Sequence, residues 1–349
     1  LKKKVTIQDI ADALGISRNT VSKAINNSDG LADATRERIL QKAVEMGYKP
    51  FSYVNTLANI VSPSLPASSE NTNFVGEIAL FTTVFLTQSH FASVMLDKFQ
   101  REILQLGYTM NTHRVTEANL RDMTLPLTFI PERTKAIICI EMFNQRYDEM
   151  VCDIGIPVLF VDGPVKRYGE SLPADQLYMD NTTDITRFVH DMLKQRRSRI
   201  GFIGDYNYCQ SFFERYTAFR CAMLLDGFDV DERFCISSNN PSVITERLAQ
   251  LETLPDIFIC ANDFIAGDTI RALFSIGKSV PGDVRILGFD DSQESRIIRP
   301  ALSTVHIHTQ IMAFSAVQLL MTRIREPSLD FRTVYTETYL VYRESARAD

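Results

Sequence analysis

The 349-residue chain contains no GxGxxG, no GxSxG and no HExxH. That removes the dinucleotide fingerprint, the hydrolase nucleophile elbow and the zinc-protease helix from consideration. IGKS at 276–279 echoes the end of a phosphate-binding loop, but Ala272 stands where the first glycine is required, and the segment follows a helix rather than a strand. The six cysteines form no CxxC pair, and Cys139 and Cys260 lie in apolar runs, so they read as reduced core thiols of a cytosolic protein. There are five histidines; His306 and His308 can share a strand face, yet two ligands without nearby cysteines read as a strand pair and not as a metal site. LKKKVTIQD lacks a signal-peptide core, and no run approaches the ~18 apolar residues of a membrane span. The expectation is a soluble, cytoplasmic protein without membrane association, metal or cofactor.

A surplus of positive charge is also missing overall, since the net charge is −6. Its distribution is uneven. Residues 1–60 hold nine Lys/Arg against six Asp/Glu, net +3, while the remainder carries net −9. Basic charge therefore concentrates where nucleic acid could use it.

That N-terminal part reads VTIQDIADALGISRNTVSKAINN at 5–27. Thr6 with Asp9 matches a capping box, and Ile7, Ile10, Ala11 and Leu14 fall at helical spacing. Gly15 can end this helix in the left-handed conformation, and Ser17 can cap a second. On that second helix Val21, Ala24 and Ile25 share one arc, while Arg18, Asn19, Ser22 and Lys23 share the other. A polar arc is ordinarily a solvated face. Here it offers Arg and Asn, whose geometry suits bidentate contact with guanine and adenine, at the end a helix-turn-helix points into the major groove. Asp33 or Thr35 can cap a third helix, with Ile39, Leu40, Ala43 and Val44 buried and Gly47 at its end.

SPSLPASSENTN, rich in Pro and Ser, reads as a linker, and from Phe74 short apolar strands alternate with amphipathic helices in two series. The pattern implies parallel sheets with helices on both faces, in two lobes. Ligands in such sheets bind beyond the C-terminal strand ends. Those ends carry Asp162, Asp180, Asn181, Asp205, Asn262, Asp263, Asp290 and Asp291. An aspartate there is often a helix cap, but several converging on one edge favour a polar cleft.

TIQDIADALGISRNTVSKAIN, TRERILQKAVEMGYKP, IPVLFVDG, MDN, ICAND, PGDVRILGFDD and LSTVHI occur in this order, and through them nearly the whole chain resembles the LacI/GalR family of bacterial transcription regulators. The resemblance implies a helix-turn-helix headpiece (1–50), a hinge helix and linker (51–73) and a two-lobed, periplasmic-binding-protein-like core that dimerises (74–349). Its first lobe would comprise about 74–178 and 309–327, its second about 179–308 and 328–349. By the family's pattern Arg18, Asn19 and Lys23 read bases and Thr20 and Ser22 lie nearer the phosphates; Thr6, Ser17 and Asn26 complete the candidate DNA-contacting set. Leu57 stands where the family presents a minor-groove wedge, although Phe51, Tyr53 and Asn55-Thr56 depart from the usual residues around it. Arg215, Asn262 and Asp290 match the family's effector contacts on loops of the second lobe. Asp162 is a further candidate, as are Ser89, His90 and Phe91, which stand in place of Asn-Pro-Phe. Arginine, asparagine and aspartate together can grip vicinal hydroxyls.

The expected protein is thus a homodimeric repressor of a pseudo-palindromic operator, controlled by a small ligand of saccharide type. Two rivals remain. A solute receptor of transport would need an export signal and no headpiece, and a sugar-processing enzyme would turn its ligand over.

Overall fold

Thr6 opens the first helix, α1 (Ile7–Leu14): its Oγ1 accepts from the Asp9 N–H at 3.2 Å while the Asp9 carboxylate accepts from the Thr6 N–H at 2.7 Å. Both halves of the expected capping box are present. Gly15 takes φ 65° and its N–H returns to the carbonyls of Ala11 and Asp12, a conformation glycine adopts without a steric penalty. The chain then enters α2 (Arg18–Ile25), where Ser17 Oγ accepts from the Thr20 N–H at 3.1 Å. Ile10, Ala11, Val21 and Ala24 pack with Ile39 and Ala43 into a small core.

In this computed structural model the described residues are 6–25, 35, 38, 39, 42, 43, 46, 74–84, 90–169 and 171–347. Residues 35, 38, 39, 42 and 43 are helical. Asp33, Leu40, Val44, Gly47 and the whole expected hinge, Leu57 included, lie outside the described residues, as do Asn26 and Ser89. The chain divides into two units, Leu1–Asn71 and Thr72–Asp349.

The second unit begins with β1 (Gly76–Thr82), α3 (His90–Gln105), β2 (Tyr108–Arg114), α4 (Glu117–Asp122), β3 (Thr134–Ile140), α5 (Gln145–Cys152), β4 (Val158–Val161) and β5 (Asp175–Met179). There follow α6 (Thr183–Lys194), β6 (Ile200–Ile203), α7 (Gln210–Leu225), β7 (Cys235–Ile236), α8 (Pro241–Ala249), β8 (Ile257–Cys260), α9 (Asp263–Ser275), β9 (Arg285–Leu287) and α10 (Glu294–Ile297). The chain closes with β10 (Thr304–Ile307), α11 (Thr309–Arg325), β11 (Thr333–Thr336) and β12 (Thr338–Val341). One parallel sheet runs β11-β5-β4-β3-β1-β2 and a second runs β7-β6-β8-β9, while β10 and β12 form an antiparallel pair. The central strands read as continuous apolar runs because helices cover both faces.

The chain crosses between lobes three times, near Asn181, His308 and Glu337. This corrects the expected lobe boundary: residues 328–349 do not lie wholly in the second lobe. Thr333–Thr336 pairs with Gln176–Met179 and completes an edge of the first sheet; only from Thr338 does the chain return to pair with β10. Asp175, 1% exposed, accepts from the side chains of Arg323 and Arg332 and from the Arg332 backbone, which ties α11 and the approach to β11 to that edge.

Behind β3, Asp148 on α5 is fully buried and neither carboxylate oxygen has a hydrogen-bond partner. Burial, with Glu149 adding to it, pushes its pKa up to about 8. An acid that holds its proton more tightly when folded contributes its full stability below the unfolded pKa, near ~4, and loses it as the pH rises through the folded value, at up to ~1.4 kcal/mol per pH unit. Asp148→Asn should therefore gain stability relative to the parent as the pH goes from 5 to 8. Urea unfolding at both pH values measures this, and parallel profiles for the two proteins would refute it.

Candidate effector cleft and polar helix face

A cavity of about 210 Å³ opens between the two lobes, beyond the C-terminal ends of both sheets. Its lining combines Glu141, Asp162, Arg215, Asn262 and Asp290 with the rings of Phe91, Phe143, Tyr208, Phe212 and Phe264. Phe143 from the first lobe meets Tyr208 from the second edge to face, with centroids 5.0 Å apart.

Arg215 is the anchor. It projects from the second turn of α7, so it sits on a helix and not on a strand-end loop as expected. Only 3% exposed, it donates from Nε to Asn181 Oδ1 at 2.9 Å and from Nη1 to the Ala261 carbonyl at 2.6 Å, and its Cζ lies over the Phe289 ring, 3.5 Å from the centroid. Burial lowers its pKa, while Asp290, Asp162 and Glu214 favour the charged form. A guanidinium remains a cation under such conditions.

Asp162 holds the lobes together at the cavity wall. It leaves β4 with φ 60°, and its Oδ1 accepts from the N–H groups of Gly163 at 2.8 Å and Ser211 at 3.2 Å. It thereby receives a donor from the first turn of α7, a favourable place for a carboxylate. Beside it, Gln210 donates its N–H to the Gly163 carbonyl and accepts from the Lys166 N–H, each at 2.9 Å. Asn262 Oδ1 caps α9 by accepting from Ile265 N–H at 2.9 Å while the residue lines the cavity. Asp290, with φ 118°, faces the same space; burial raises its pKa well above the carboxylate range, Arg215 opposes the rise, and Asp263, Glu141 and Asp162 add to it.

Phe91, Asp162, Arg215, Asn262 and Asp290 thus meet at one cavity. His90 begins α3, but its side chain lies outside the described residues, as does Ser89. Asp180 caps the start of α6, accepting from the N–H groups of Thr182 and Thr183, and Asn181 supports Arg215 from behind. Asp263 accepts from Thr304 and from the Ser292 N–H, and Asp291 pairs with His306, Arg296 and Arg343. Glu141, Phe143, Tyr208, Phe212 and Phe264 were missed by the sequence reading. Glu141 follows the apolar AIICI run directly, so the strand-end rule could have found it.

In the first unit Arg18, Asn19 and Lys23 are exposed, Ser22 is half-buried, and Val21 and Ala24 are buried on the opposite side. Thr6 and Ser17 are occupied as caps, and the Thr20 hydroxyl hydrogen-bonds Ser17 Oγ at 2.8 Å.

A helix-turn-helix unit joined to a two-lobed α/β receptor core defines a class of ligand-responsive DNA-binding proteins. The sequence model "Bacterial regulatory proteins, lacI family" matches residues 6–50, and "Periplasmic binding protein-like domain" matches 189–346. The HTH-type transcriptional regulator GalR of Lacticaseibacillus casei is 27% identical over 358 residues, covering 98% of this chain and 99% of its own. Among solved structures, the transcriptional regulator CelR–cellobiose complex aligns with a TM-score of 0.68 at 20% identity, covering 98% of this chain and 100% of its own. The Lac repressor dimer bound to operator and the anti-inducer ONPF aligns with a TM-score of 0.64 at 18% identity, covering 99% and 100%. Residues 6–50 thus match the lacI family of bacterial regulatory proteins, and over nearly its whole length the chain is similar to helix-turn-helix transcriptional regulators. Among the described residues no helix is long and apolar enough to cross a membrane.

Arg215→Lys tests the anchor. An ammonium cannot serve Asn181 and the Ala261 carbonyl in fork geometry while stacking on Phe289, so about 1.5–3 kcal/mol of stability should be lost despite the retained charge. Chemical denaturation reads the loss; an unchanged midpoint would show that charge alone suffices.

Proposed function

We propose that the protein is a homodimeric repressor of a pseudo-palindromic operator, and that a small polyhydroxylated ligand bound around Arg215 sets its DNA affinity. The observation that carries this reading is the convergence of Arg215, Asn262 and Asp290 on one inter-lobe cavity in a chain whose headpiece exposes Arg18, Asn19 and Lys23. Guanidinium and amide donate to hydroxyl oxygens, and carboxylates accept from hydroxyl hydrogens, so both faces of a diol are served. Aromatic side chains cover the apolar face of a sugar ring. The cavity is below the ~300–1,000 Å³ of drug-sized pockets, which favours a compact ligand.

Control operates by linkage. A ligand bound at the cleft favours one disposition of the lobes, and DNA affinity changes through the segment at 51–73, with Leu57 as the minor-groove wedge. The protein works in the cytoplasm and releases its ligand unchanged. A sugar-processing enzyme would convert it, and a transport receptor would have no use for a basic, Arg- and Asn-bearing helix face.

Arg18→Ala should cost about 1–3 kcal/mol on the preferred operator and relax preference at one base pair per half-site, because a bidentate base contact is lost. Titrations over single-base operator variants measure both effects. A variant with the parental preference profile would end the base-reading assignment. In the cleft, Asp290→Asn should weaken polyol binding by roughly 1–3 kcal/mol, leave DNA affinity without ligand nearly unchanged, and fail to switch at concentrations that switch the parent. Calorimetry and operator titration on one preparation decide this; parental ligand affinity in both Asp290→Asn and Arg215→Ala would place the ligand elsewhere.

A further inference from the structure

We infer that Glu214 is a positioning residue for the effector, and that its bond to Tyr335 couples the setting of Arg215 to the disposition of the two lobes; this rests on the effector reading above. Arg215 lines the cavity, whereas neither Glu214 nor Tyr335 is among the described residues that do. Glu214 precedes Arg215 on α7 and answers donors from three parts of the fold. Its Oε2 accepts from Asn181 Nδ2 at 2.7 Å, at the first crossover. Its Oε1 accepts from Gln210 Nε2 at 3.0 Å, on its own helix, and from the Tyr335 hydroxyl at 2.9 Å, on β11 of the first lobe. Asn181 passes the constraint on, because its Oδ1 accepts from Arg215 Nε at 2.9 Å. Donors reach both oxygens of Glu214, which suits a carboxylate and not an amide, whose nitrogen would face one of them.

The bonds that join α7 to the first lobe are of two kinds. At the first turn the N–H groups of the buried Gln210 and Ser211 are held by the Gly163 carbonyl and by Asp162, and Gln210 accepts from the Lys166 N–H. That end of the helix is a pivot. One turn further on, Glu214 meets a tyrosine that is 49% exposed, so water can replace either partner when the lobes rotate. The Tyr335 ring keeps its place without the bond, since it stacks on Tyr178 with centroids 5.3 Å apart. Rotation between lobes is absorbed at the crossovers, where Asn181 and Tyr335 both stand. A rotation that opens the Tyr335 contact frees Glu214 Oε1 and slackens Asn181, and with it the guanidinium that an effector engages. The contact has two states, made or exchanged for water, and both the cleft and the lobes bias the choice, which is what coupling requires.

The test uses the full chain, duplex DNA selected by the parent protein from a random pool, and a thermal-shift screen of glucose, galactose, mannose, ribose, xylose, maltose and cellobiose; the sugar giving the largest shift is the probe. DNA affinity with and without that sugar gives the coupling factor. Tyr335→Phe keeps the ring and its stack and deletes one hydroxyl. It should preserve the unfolding midpoint and bind the sugar near the parental affinity, while the coupling factor falls toward one, by about five-fold or more. Glu214→Gln sets an amide nitrogen against a donor, so it should lose the coupling and also weaken sugar binding by about ten-fold. In the double variant the coupling should fall no further than in the single ones, as for two residues that act through one bond. Parental coupling in Tyr335→Phe, whatever its midpoint, would overturn the coupling assignment and leave the effector reading standing. Parental sugar affinity in Glu214→Gln would remove Glu214 as a positioning residue. If no sugar of the panel alters DNA binding by the parent, the polyol-effector reading falls and the coupling assigned to Tyr335 falls with it.

Discussion

A guanidinium that is 3% exposed has to be answered by protein, because water cannot reach it, and much of the cleft is arranged around that requirement. Arg215 draws Asn181 from the first inter-lobe crossover, the Ala261 carbonyl from the end of β8 and the Phe289 ring from the end of β9. Asn181 is in turn held by Glu214 Oε2 at 2.7 Å, and Glu214 Oε1 accepts from Gln210 at 3.0 Å and from the Tyr335 hydroxyl at 2.9 Å. Tyr335 belongs to β11, the strand just before the third crossover, and stacks on Tyr178 of β5. One buried charge thus ties two crossovers and two second-lobe strand ends into a single hydrogen-bonded unit.

The loop carrying Asp290 is held from its other side. Asp291, buried, accepts from His306, Arg296 and Arg343, and these partners hold its pKa far below the ordinary carboxylate range despite burial. Its neighbour Asp290 has its pKa raised. Two adjacent aspartates therefore serve opposite ends. One is neutralised by cations and fixes backbone with φ of 118° and 53°; the other presents an acid to the cavity. His306 lies two residues before the His308 crossover, so the same ion cluster links the cleft to the entrance of α11.

Local rules made part of this legible. Thr6 with Asp9 and Gly15 declare the ends of α1 because caps are satisfied within a few residues. The apolar runs ending in Asp162, Asn262 and Asp290 announce buried parallel strands with polar ends, and Arg215 came from resemblance. The rest depended on pairing at a distance. YTMNTHR forms β2 as an edge strand, where four of seven residues are exposed, so its pattern carries no continuous apolar run. TVYT and TYLV are four residues each, separated by Glu337, and nothing in their composition says that one joins the first sheet and the other pairs with β10. Asp148 gave no warning at all: an aspartate on a short amphipathic helix reads as solvated until α5 is placed against β3.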